Sequence, residues 1–250
     1  MRLVVIGGTG RIGAAAVEQL RSLGHEAVAA SPSAGVDAYT GAGLADALAG
    51  ADVVVDVSNA PASGLDPLTF FTTSTRNLLA GERAAGVRHH VVLSIVGVDR
   101  AADSPYLGAK LAQERVVEAA DVPFTILRAT QFFEFLAAIA DRQTHDGVVR
   151  SSTGAVQPVA ASEVVEAVVD LALGPPLGGV VDVAGPERFA LDQLLRAELA
   201  AAGDPRPVVG DPQARYAGAL LGATTIVPTG AARLGTVTLT EWRAARTVTR

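Results

Sequence analysis

Short runs of aliphatic and β-branched residues alternate with stretches of helical periodicity through the first half of the chain. Five such runs predict strands at residues 3–6, 26–30, 53–55, 90–93 and 124–127. The stretches between them predict helices at residues 11–23, 44–48, 67–85 and 104–120, and Gly24 and Gly86 follow two of these as C-caps. Because strands that alternate with helices are joined by crossover connections, this half of the chain predicts βαβ units in a doubly wound parallel sheet.

The pattern becomes less regular after Arg128. It predicts helices at residues 132–142, 162–173 and 191–202 and a strand at 180–183, and beyond Gly203 the chain is rich in Pro, Gly and Ala around Trp242. We therefore expect a core at residues 1–130 and a small C-terminal lobe at residues 131–250, with residues 156–174 returning to the core to give one integrated domain. Ligands of open α/β folds bind at the carboxyl edge of the sheet, so the lobe is expected to form the substrate pocket there.

Composition and charge exclude several classes of function. A net charge of −6 and a pI near 5.2 argue against a nucleic-acid-binding surface. The chain has no cysteine, which excludes disulfides, thiolate metal sites and thiol nucleophiles. The N-terminus does not resemble a secretory signal and no apolar run is long enough to span a membrane, so we expect a cytoplasmic protein without membrane contact.

The motifs of other enzyme classes are missing from the sequence. It contains no Walker loop, no G-x-S-x-G elbow and no H-E-x-x-H helix. His89 and His90 are neighbours on a predicted strand, so their side chains point to opposite faces and cannot hold one metal ion together. No metal site is therefore predicted.

A glycine-rich segment lies between the first predicted strand and the first predicted helix. Gly7, Gly10 and Gly13 have the spacing G-x-x-G-x-x-G. Such glycines allow a tight turn, close approach of the backbone to a pyrophosphate and packing of the helix on the strand, while the helix N-terminus favours phosphate. The core is therefore predicted to be a Rossmann-like, dinucleotide-binding fold, with a cofactor loop that comprises Gly7, Thr9, Gly10, Arg11, Ile12 and Gly13.

Three further residues bear on the choice of cofactor. Arg11 is a cation in the first turn of a helix, where the helix dipole opposes it, so an anionic partner such as the 2′-phosphate of NADP would explain it. Folds of this type that select NAD have an acidic residue near the end of the second strand, which binds the ribose 2′-hydroxyl. This chain has Ser31 and Ser33 there instead. Asp37 comes later and is expected to end a short third strand. NADP is therefore favoured over NAD; an exposed Arg11 without a function is the alternative.

The chain has one lysine, Lys110, against nineteen arginines, and it lies four residues after Tyr106. Positions four apart share a helix face, so both side chains can face one cleft. An ammonium near a phenol stabilises the phenolate and lowers the pKa of the tyrosine. Tyr106 could then deliver a proton to a carbonyl oxygen as hydride reaches the carbon, or act in the reverse direction. A surface lysine on a helix is the alternative interpretation.

Together these motifs resemble the short-chain dehydrogenase/reductase superfamily, in its atypical, NmrA-like branch. Residues 122–128 and the helix entry at 158–160 add to the likeness, which covers residues 1 to about 200. The resemblance implies an NAD(P)H-dependent oxidoreductase with Tyr106 as acid/base, Lys110 supporting it and binding the nicotinamide ribose, and a serine polarising the substrate carbonyl. Ser94 is close to the usual place of that serine, although a two-residue shift puts Val96 there.

The resemblance also implies where cofactor and substrate would lie. It assigns Asn59 and Ala60 to the ribose and nicotinamide, and Gln131, Phe132 and Phe133 to the substrate pocket. Packing of the small lobe explains these phenylalanines equally well. The sequence does not identify the substrate beyond a small carbonyl or alcohol, and a homodimer stays an open alternative.

One feature departs from the family pattern. The family has an asparagine on its long middle helix. This chain has no evident counterpart, and Phe71 lies close to the corresponding position. This departure leaves open a second function, a regulator that binds NADP(H) without turnover, although many such sensors lack the Tyr–Lys pair. An epimerase or dehydratase that uses the same residues is a third alternative.

Overall fold

The computed structural model of the protein describes residues 1–61 and 64–248. Strands and helices alternate in the first half of the chain: β1 Arg2–Ile6, α1 Arg11–Ser22, β2 Glu26–Ala30, α2 Leu44–Leu48, β3 Val53–Asp56, α3 Pro67–Ala85, β4 His89–Ile95, α4 Pro105–Glu118 and β5 Phe124–Ala129. The second half has four helices and nine strands, most of them of two to four residues: α5 Leu136–Arg142, β6 Thr144–His145, β7 Val148–Ser151, β8 Ala155–Val156, α6 Ala161–Leu173, β9 Gly179–Ala184, β10 Phe189–Ala190, α7 Leu191–Ala202, β11 Val208–Gly210, β12 Arg215–Tyr216, β13 Ala219–Leu220, β14 Arg233–Leu234 and α8 Leu239–Val248 in the described residues.

Seven strands form one sheet in the order β14-β9-β5-β4-β3-β1-β2. Strand β1 pairs in parallel with β2 on one side and β3 on the other, and β3 pairs in parallel with β4. The β1 residues Leu3, Val4 and Val5 are fully buried. A continuous apolar run buried on both faces is what a central parallel strand requires. The predicted doubly wound α/β fold is confirmed.

The chain divides into two compact units. The first consists of residues 1–94, 108–128 and 164–181, and the second of residues 95–107, 129–163 and 182–250. Helix α4 begins in the second unit and continues in the first. The predicted roles of the two parts, cofactor binding and substrate binding, stay predictions.

The first unit has its apolar core between the sheet and its helices. One cluster joins β1 and β3 to α2 and α3 through Val4, Val54, Leu48 and Leu78. Two histidines of β4 are also buried, and their partners lie on different elements, as side chains on opposite faces of a strand require: the His89 ring is 2.9 Å from Thr125 Oγ1, and the His90 ring is 2.8 Å from Glu82 Oε1. Burial opposes protonation of His90, but the charge and hydrogen bond of Glu82 raise its pKa.

The second unit is organised around aromatic residues and the half-buried carboxylate of Glu134. The indole of Trp242 packs at 5.3 Å from the Phe133 ring and donates from Nε1 to Glu134 Oε1 at 3.1 Å. The other carboxylate oxygen of Glu134 accepts from the backbone N–H of Ala161, at the start of α6. Glu134 thereby connects α8 to the first residue of α6 within this unit.

Three local predictions are corrected by the structure. Asp37 does not end a strand; it lies in a turn, where its Oδ1 accepts from the Tyr39 backbone N–H at 2.8 Å. The helix predicted at 132–142 begins as a 3₁₀ turn, Phe133–Phe135, and becomes α-helical only at Leu136. Eight two- to four-residue strands of the second half, the segments β6–β8 and β10–β14, were not expected, because runs this short carry no periodicity.

None of the helices in the described part of the chain is long and apolar enough to cross a membrane.

Candidate functional site

The glycine loop forms a tight turn at the carboxyl end of β1. Gly7 has a φ of +76°, and the backbone N–H groups of Gly7 and Gly8 both donate to Ala30 O, at 2.9 and 3.1 Å. A Cβ atom built on Gly13 would lie 2.2 Å from Gly7 O, so only glycine lets α1 start this close to the turn. Gly7 is required for its left-handed conformation and Gly13 for the close approach of the backbone. Both requirements agree with the glycine spacing.

The N-terminus of α1 is open to an anion. Gly10 is its N-cap, with no side-chain cap, and the first turn contains no acidic residue. The first N–H groups of a helix lack intrahelical partners, and the helix dipole adds partial positive charge there. Thr9 and Arg11 are exposed beside this end, whereas Ile12 is buried against the core. A phosphate at this point would be bound by backbone N–H groups.

The ends of β2 and β3 adjoin the same loop. Ser31 directly follows Ala30, the acceptor for the loop, and its Oγ lies 2.9 Å from Ser33 Oγ. On the other side, a Cβ on Gly7 would lie 3.0 Å from the Ser58 backbone. Asn59, next to Ser58, is exposed, and its Oδ1 accepts from Ala60 N at 2.9 Å. The structure therefore brings the predicted cofactor residues of β1, β2 and β3 together at one edge of the sheet.

Lys110 lies in a buried polar network inside the first unit. It is 3% exposed, and its Nζ donates to Leu93 O at 2.8 Å and to Gln113 Oε1. The amide nitrogen of Gln113 in turn donates to Asp56 Oδ2 at 3.0 Å and to Thr75 Oγ1 at 3.1 Å. We call these residues, Asp56, Thr75, Lys110 and Gln113, the lysine network.

An aromatic ring covers one side of the lysine network. The Lys110 ammonium lies 4.5 Å from the centroid of the Phe71 ring, a cation–π contact. Phe71, which lies close to the position of the family's asparagine, therefore packs against the lysine network. Burial lowers the pKa of Lys110 from its ordinary value of 10.5 to about 8, although the charges of Asp56 and Glu114 act in the opposite direction.

The remaining predicted catalytic residues belong to different units. Ser94, in the first unit, is 3% exposed, and its Oγ has no hydrogen-bond partner in the described chain. Tyr106, in the second, is half-buried near the start of α4. Burial raises the pKa of Tyr106, and the charge of Arg142 acts against this rise. In the protein alone the net direction is thus opposite to the lowering that the sequence suggested.

The predicted substrate residues lie in the second unit. Phe133 is buried against Trp242, so it packs the interior of this unit. Phe132 stacks on the half-exposed Phe135 with ring centroids 5.4 Å apart. Gln131 is 7% exposed, and its Oε1 has no partner among the described residues. An open pocket of about 380 Å³ in this unit lies elsewhere, between Gly154, Arg188 and Gly222.

Several residues around the site were not predicted from the sequence. Gln113 is three residues after Lys110 on the same helix, a spacing that could have indicated contact. Asp56 ends a buried strand, and a carboxylate at that place could have indicated a polar partner. Tyr216 and Arg142, which lie near Tyr106, carry no local signal because their proximity comes from the fold of the second unit.

Comparison with known proteins agrees with this geometry. A family described as NAD(P)H-binding matches residues 7–172, which begin at the glycine loop and end in α6. The chain belongs to the NAD(P)H-binding family. No curated protein sequence matches it.

Solved structures extend the likeness of this NAD(P)H-binding protein over its whole length. MoeE5 in complex with UDP-glucose and NAD superposes with a TM-score of 0.75 at 20% identity, covering 99% of this chain and 100% of that one. DesIV, a dTDP-glucose 4,6-dehydratase from Streptomyces venezuelae, gives 0.72 at 19% identity, covering 100% and 96%. A short-chain dehydrogenase/reductase superfamily protein from Agrobacterium tumefaciens with bound NAD gives 0.69 at 17%, covering 100% and 98%. Identities this low show a shared fold.

Gly13→Ala tests the cofactor loop of this NAD(P)H-binding protein. The new methyl group meets Gly7 O at 2.2 Å, so the loop and α1 must separate. We expect a loss of about 1–3 kcal/mol in the free energy of unfolding and at least tenfold weaker binding of NAD(P)H. Urea denaturation and cofactor fluorescence titration measure the two effects. Gly230→Ala, where an added Cβ meets nothing within 4 Å, is the matched control; equal behaviour of the two variants would contradict the prediction.

The single lysine makes its titration directly observable. Lysine labelled with ¹³C gives one side-chain resonance, which we expect to titrate near pH 8 in the folded protein. Between pH 8 and 10.5 the unfolded chain binds more protons than the folded one, so the free energy of unfolding should rise with pH, by about 3 kcal/mol in all. Below pH 8 both states carry the proton and this dependence disappears. Lys110→Met should abolish this rise; a titration midpoint near 10.5 would show that the lysine is solvated.

Proposed function

We propose that this protein is an NAD(P)-dependent oxidoreductase of the NmrA-like branch, acting in the cytoplasm on a small carbonyl or alcohol with Tyr106 as acid/base. The observation that carries the proposal is the group of residues at the carboxyl ends of β1, β2 and β3, which we call the cradle. There the glycine turn, the uncapped α1 N-terminus, Ser31 and Asn59 face one edge of the sheet. Both the close Gly13–Gly7 approach and the open helix N-terminus fit a dinucleotide pyrophosphate.

The residues of the chain would divide the work as follows. The glycine loop and the first N–H groups of α1 bind the pyrophosphate, and Asn59 and Ala60 border the ribose and nicotinamide. A bound nicotinamide supplies or accepts the hydride. The Tyr106 hydroxyl donates its proton to the carbonyl oxygen in reduction and takes it back in oxidation. Ser94, whose buried hydroxyl lacks a partner in the described structure, polarises the carbonyl.

To bind a ribose, Lys110 would have to give up one of its present hydrogen-bond partners. Two of its three N–H donors are used by Leu93 O and Gln113, and the Phe71 ring covers another side. A ribose hydroxyl would have to replace one of these partners. The same engagement favours a second function, a regulator that binds the cofactor without turnover, because an ammonium already satisfied inside the protein has less need of a ligand.

NADP selection is proposed for the end of the cradle that carries Arg11. Its exposed guanidinium lies in the first turn of α1, and the adjacent β2 end offers the hydroxyls of Ser31 and Ser33 without a carboxylate. A 2′-phosphate would meet positive charge and hydroxyl donors, whereas NAD would meet no acidic partner for its 2′-hydroxyl.

The solved neighbours widen the set of substrates to be tried. MoeE5 is described with UDP-glucose and UDP-glucuronic acid, and DesIV is a sugar-nucleotide dehydratase. A sugar nucleotide is therefore a rational addition to a panel of small aldehydes, ketones and alcohols. Transient reduction of the bound cofactor would distinguish an epimerase or dehydratase from a net oxidoreductase.

Tyr106→Phe tests the acid/base role. Removing the hydroxyl eliminates the proton donor, so we expect kcat to fall by about 10²–10⁴-fold with little change in cofactor affinity. NADPH and NADH oxidation against the substrate panel measures turnover, and fluorescence titration measures binding. Tyr39→Phe, in the first unit, is the control. Unchanged turnover in Tyr106→Phe would remove the catalytic assignment, while tight binding with no turnover by the native chain would favour the regulator.

Arg11→Ala tests the choice between the cofactors. Loss of a charge-assisted contact to the 2′-phosphate should weaken NADPH binding by about 10- to 100-fold and leave NADH binding nearly unchanged. The two dissociation constants, measured at one salt concentration, give the answer. Arg115→Ala, an exposed arginine of α4, controls for net charge. A native chain that binds both cofactors equally would contradict NADP selection.

A further inference from the structure

The lysine network contains a glutamine, Gln113, to which the proposed function gives no role. It is 1% exposed, and its whole amide is engaged. Its Oε1 accepts from the Lys110 ammonium, while its Nε2 donates to Asp56 Oδ2 at 3.0 Å and to Thr75 Oγ1 at 3.1 Å. An amide has one oxygen to accept with and two N–H groups to donate. The ammonium and the carboxylate therefore fix which end of the amide faces each of them.

Gln113 lies between the two charges of the lysine network. Asp56 is 1% exposed and Lys110 is 3% exposed, so neither charge is solvated. A buried charge is very unfavourable unless it is paired and hydrogen-bonded. Here the amide presents its oxygen to the cation and its N–H groups to the anion, so each charge polarises the amide in favour of the other. The protonated form of the lysine therefore depends on the amide as well as on the carboxylate.

The other charged groups on the surrounding elements have partners of their own. Glu114, next to the glutamine on α4, accepts from Arg128 of β5 at 2.6 and 2.9 Å. Glu82 of α3 lies 2.8 Å from the ring of His90 on β4. Asp56 of β3, in contrast, reaches the ammonium through the amide. The hydrogen-bonded path from the lysine to a carboxylate therefore runs through position 113.

The carboxylate of Asp56 also reaches the backbone that borders the glycine loop. Its Oδ1 accepts from Ser58 N at 2.9 Å. Val57 N donates to Ile6 O at 3.0 Å, and a Cβ on Gly7 would lie 3.0 Å from the Ser58 backbone. Ser58 Oγ is buried without a partner among the described residues, so a ligand in the cradle can satisfy it. One carboxylate thus holds both the glutamine and an edge of the cradle.

We propose that Gln113 is a positioning residue for Lys110: its amide fixes the ammonium and, through Asp56, couples it to residues 57–60 at the cradle. This inference rests on the proposed function and deepens it, because it states how the lysine responds to occupation of the cofactor site. An anionic cofactor bound against residues 57–60 favours the ammonium over the neutral amine. By reciprocity, the cofactor binds more weakly once the lysine has lost its proton.

The single lysine allows a direct test by ¹³C-lysine NMR, since the native midpoint is expected near pH 8. Gln113→Glu places a carboxylate against the ammonium and should raise the midpoint by about one pH unit or more. Gln113→Met keeps the length of the side chain but removes the acceptor, and should lower the midpoint by about one unit or more. A merely structural role predicts no such opposition, because loosening of the fold would move both variants towards 10.5.

Two controls accompany these variants. Gln19→Met changes a half-buried glutamine of α1 and should leave the Lys110 midpoint at its native value. Far-UV circular dichroism over the same pH range verifies that each variant is folded. Asp56→Asn supplies a second, nearly isosteric change: it removes the countercharge and should lower the midpoint as Gln113→Met does.

Saturation with NADPH or NADH tests the coupling to the cradle. In the native chain the cofactor should raise the Lys110 midpoint by about half a pH unit, so its dissociation constant should increase about threefold between pH 7 and pH 10. In Gln113→Met and Asp56→Asn the cofactor should move the midpoint by less than about half of that amount. Fluorescence titration at each pH measures the dissociation constants.

The possible results separate the inference from the proposed function. A Lys110 midpoint that stays unchanged in both Gln113 variants, or that moves in one direction in both, would overturn the positioning role. Cofactor binding that leaves the native midpoint in place would overturn the coupling and leave the proposed function standing. Opposite shifts in a chain that binds neither NADPH nor NADH would instead contradict the proposed function and support Gln113 as the residue that positions the ammonium.

Discussion

The first unit depends on the need to satisfy one buried ammonium. An isolated charge in a protein interior is very unfavourable, and Lys110 is tolerated because a backbone carbonyl, an amide oxygen and an aromatic face surround it. These partners come from β4, α4 and α3, and Gln113 connects them to Asp56 at the end of β3. The carboxylate has a second task, since its Oδ1 accepts from Ser58 N at 2.9 Å and shapes the segment that adjoins Gly7. Lysine charge and cofactor loop are therefore linked through a single aspartate.

The acceptors around Lys110 explain why arginine could not replace it. A guanidinium needs several acceptors in a planar fork, whereas this site offers one carbonyl, one amide oxygen and the face of a ring. Gln113 suits the site because its amide accepts from the ammonium and donates to both Asp56 and Thr75. A carboxylate at position 113 could accept from the ammonium but would repel Asp56. The chemistry of the network thus depends on the pairing of lysine with glutamine, which are one helical turn apart.

The sequence predicts the first half of the fold well because periodicity there is strong. The helices at 44–48 and 67–85 and the strand at 26–30 agree with the structure to the residue, and the glycine loop has the close approaches that its spacing implied. Prediction is poorer where local pattern is weak. Asp37 lies in an Asx turn because its side chain satisfies backbone N–H groups nearby. The turn at Ala217 cannot be foreseen, since it depends on a hydroxyl 113 residues away in the chain. The direction of the Tyr106 pKa likewise follows from burial, which no residue spacing reveals.

The division of α4 between the two units has a chemical consequence. Residues up to 107 group with the second unit and residues from 108 with the first, so Tyr106 and Lys110 lie on one helix but have different surroundings. The surroundings of Lys110 come from the sheet and from the segment beside the cofactor loop. Those of Tyr106 include α5 and a hairpin from the last fifth of the chain, a region with no part in the cradle. Changes in that region can therefore adjust the proton affinity of the phenol while the lysine network and the glycine loop stay intact.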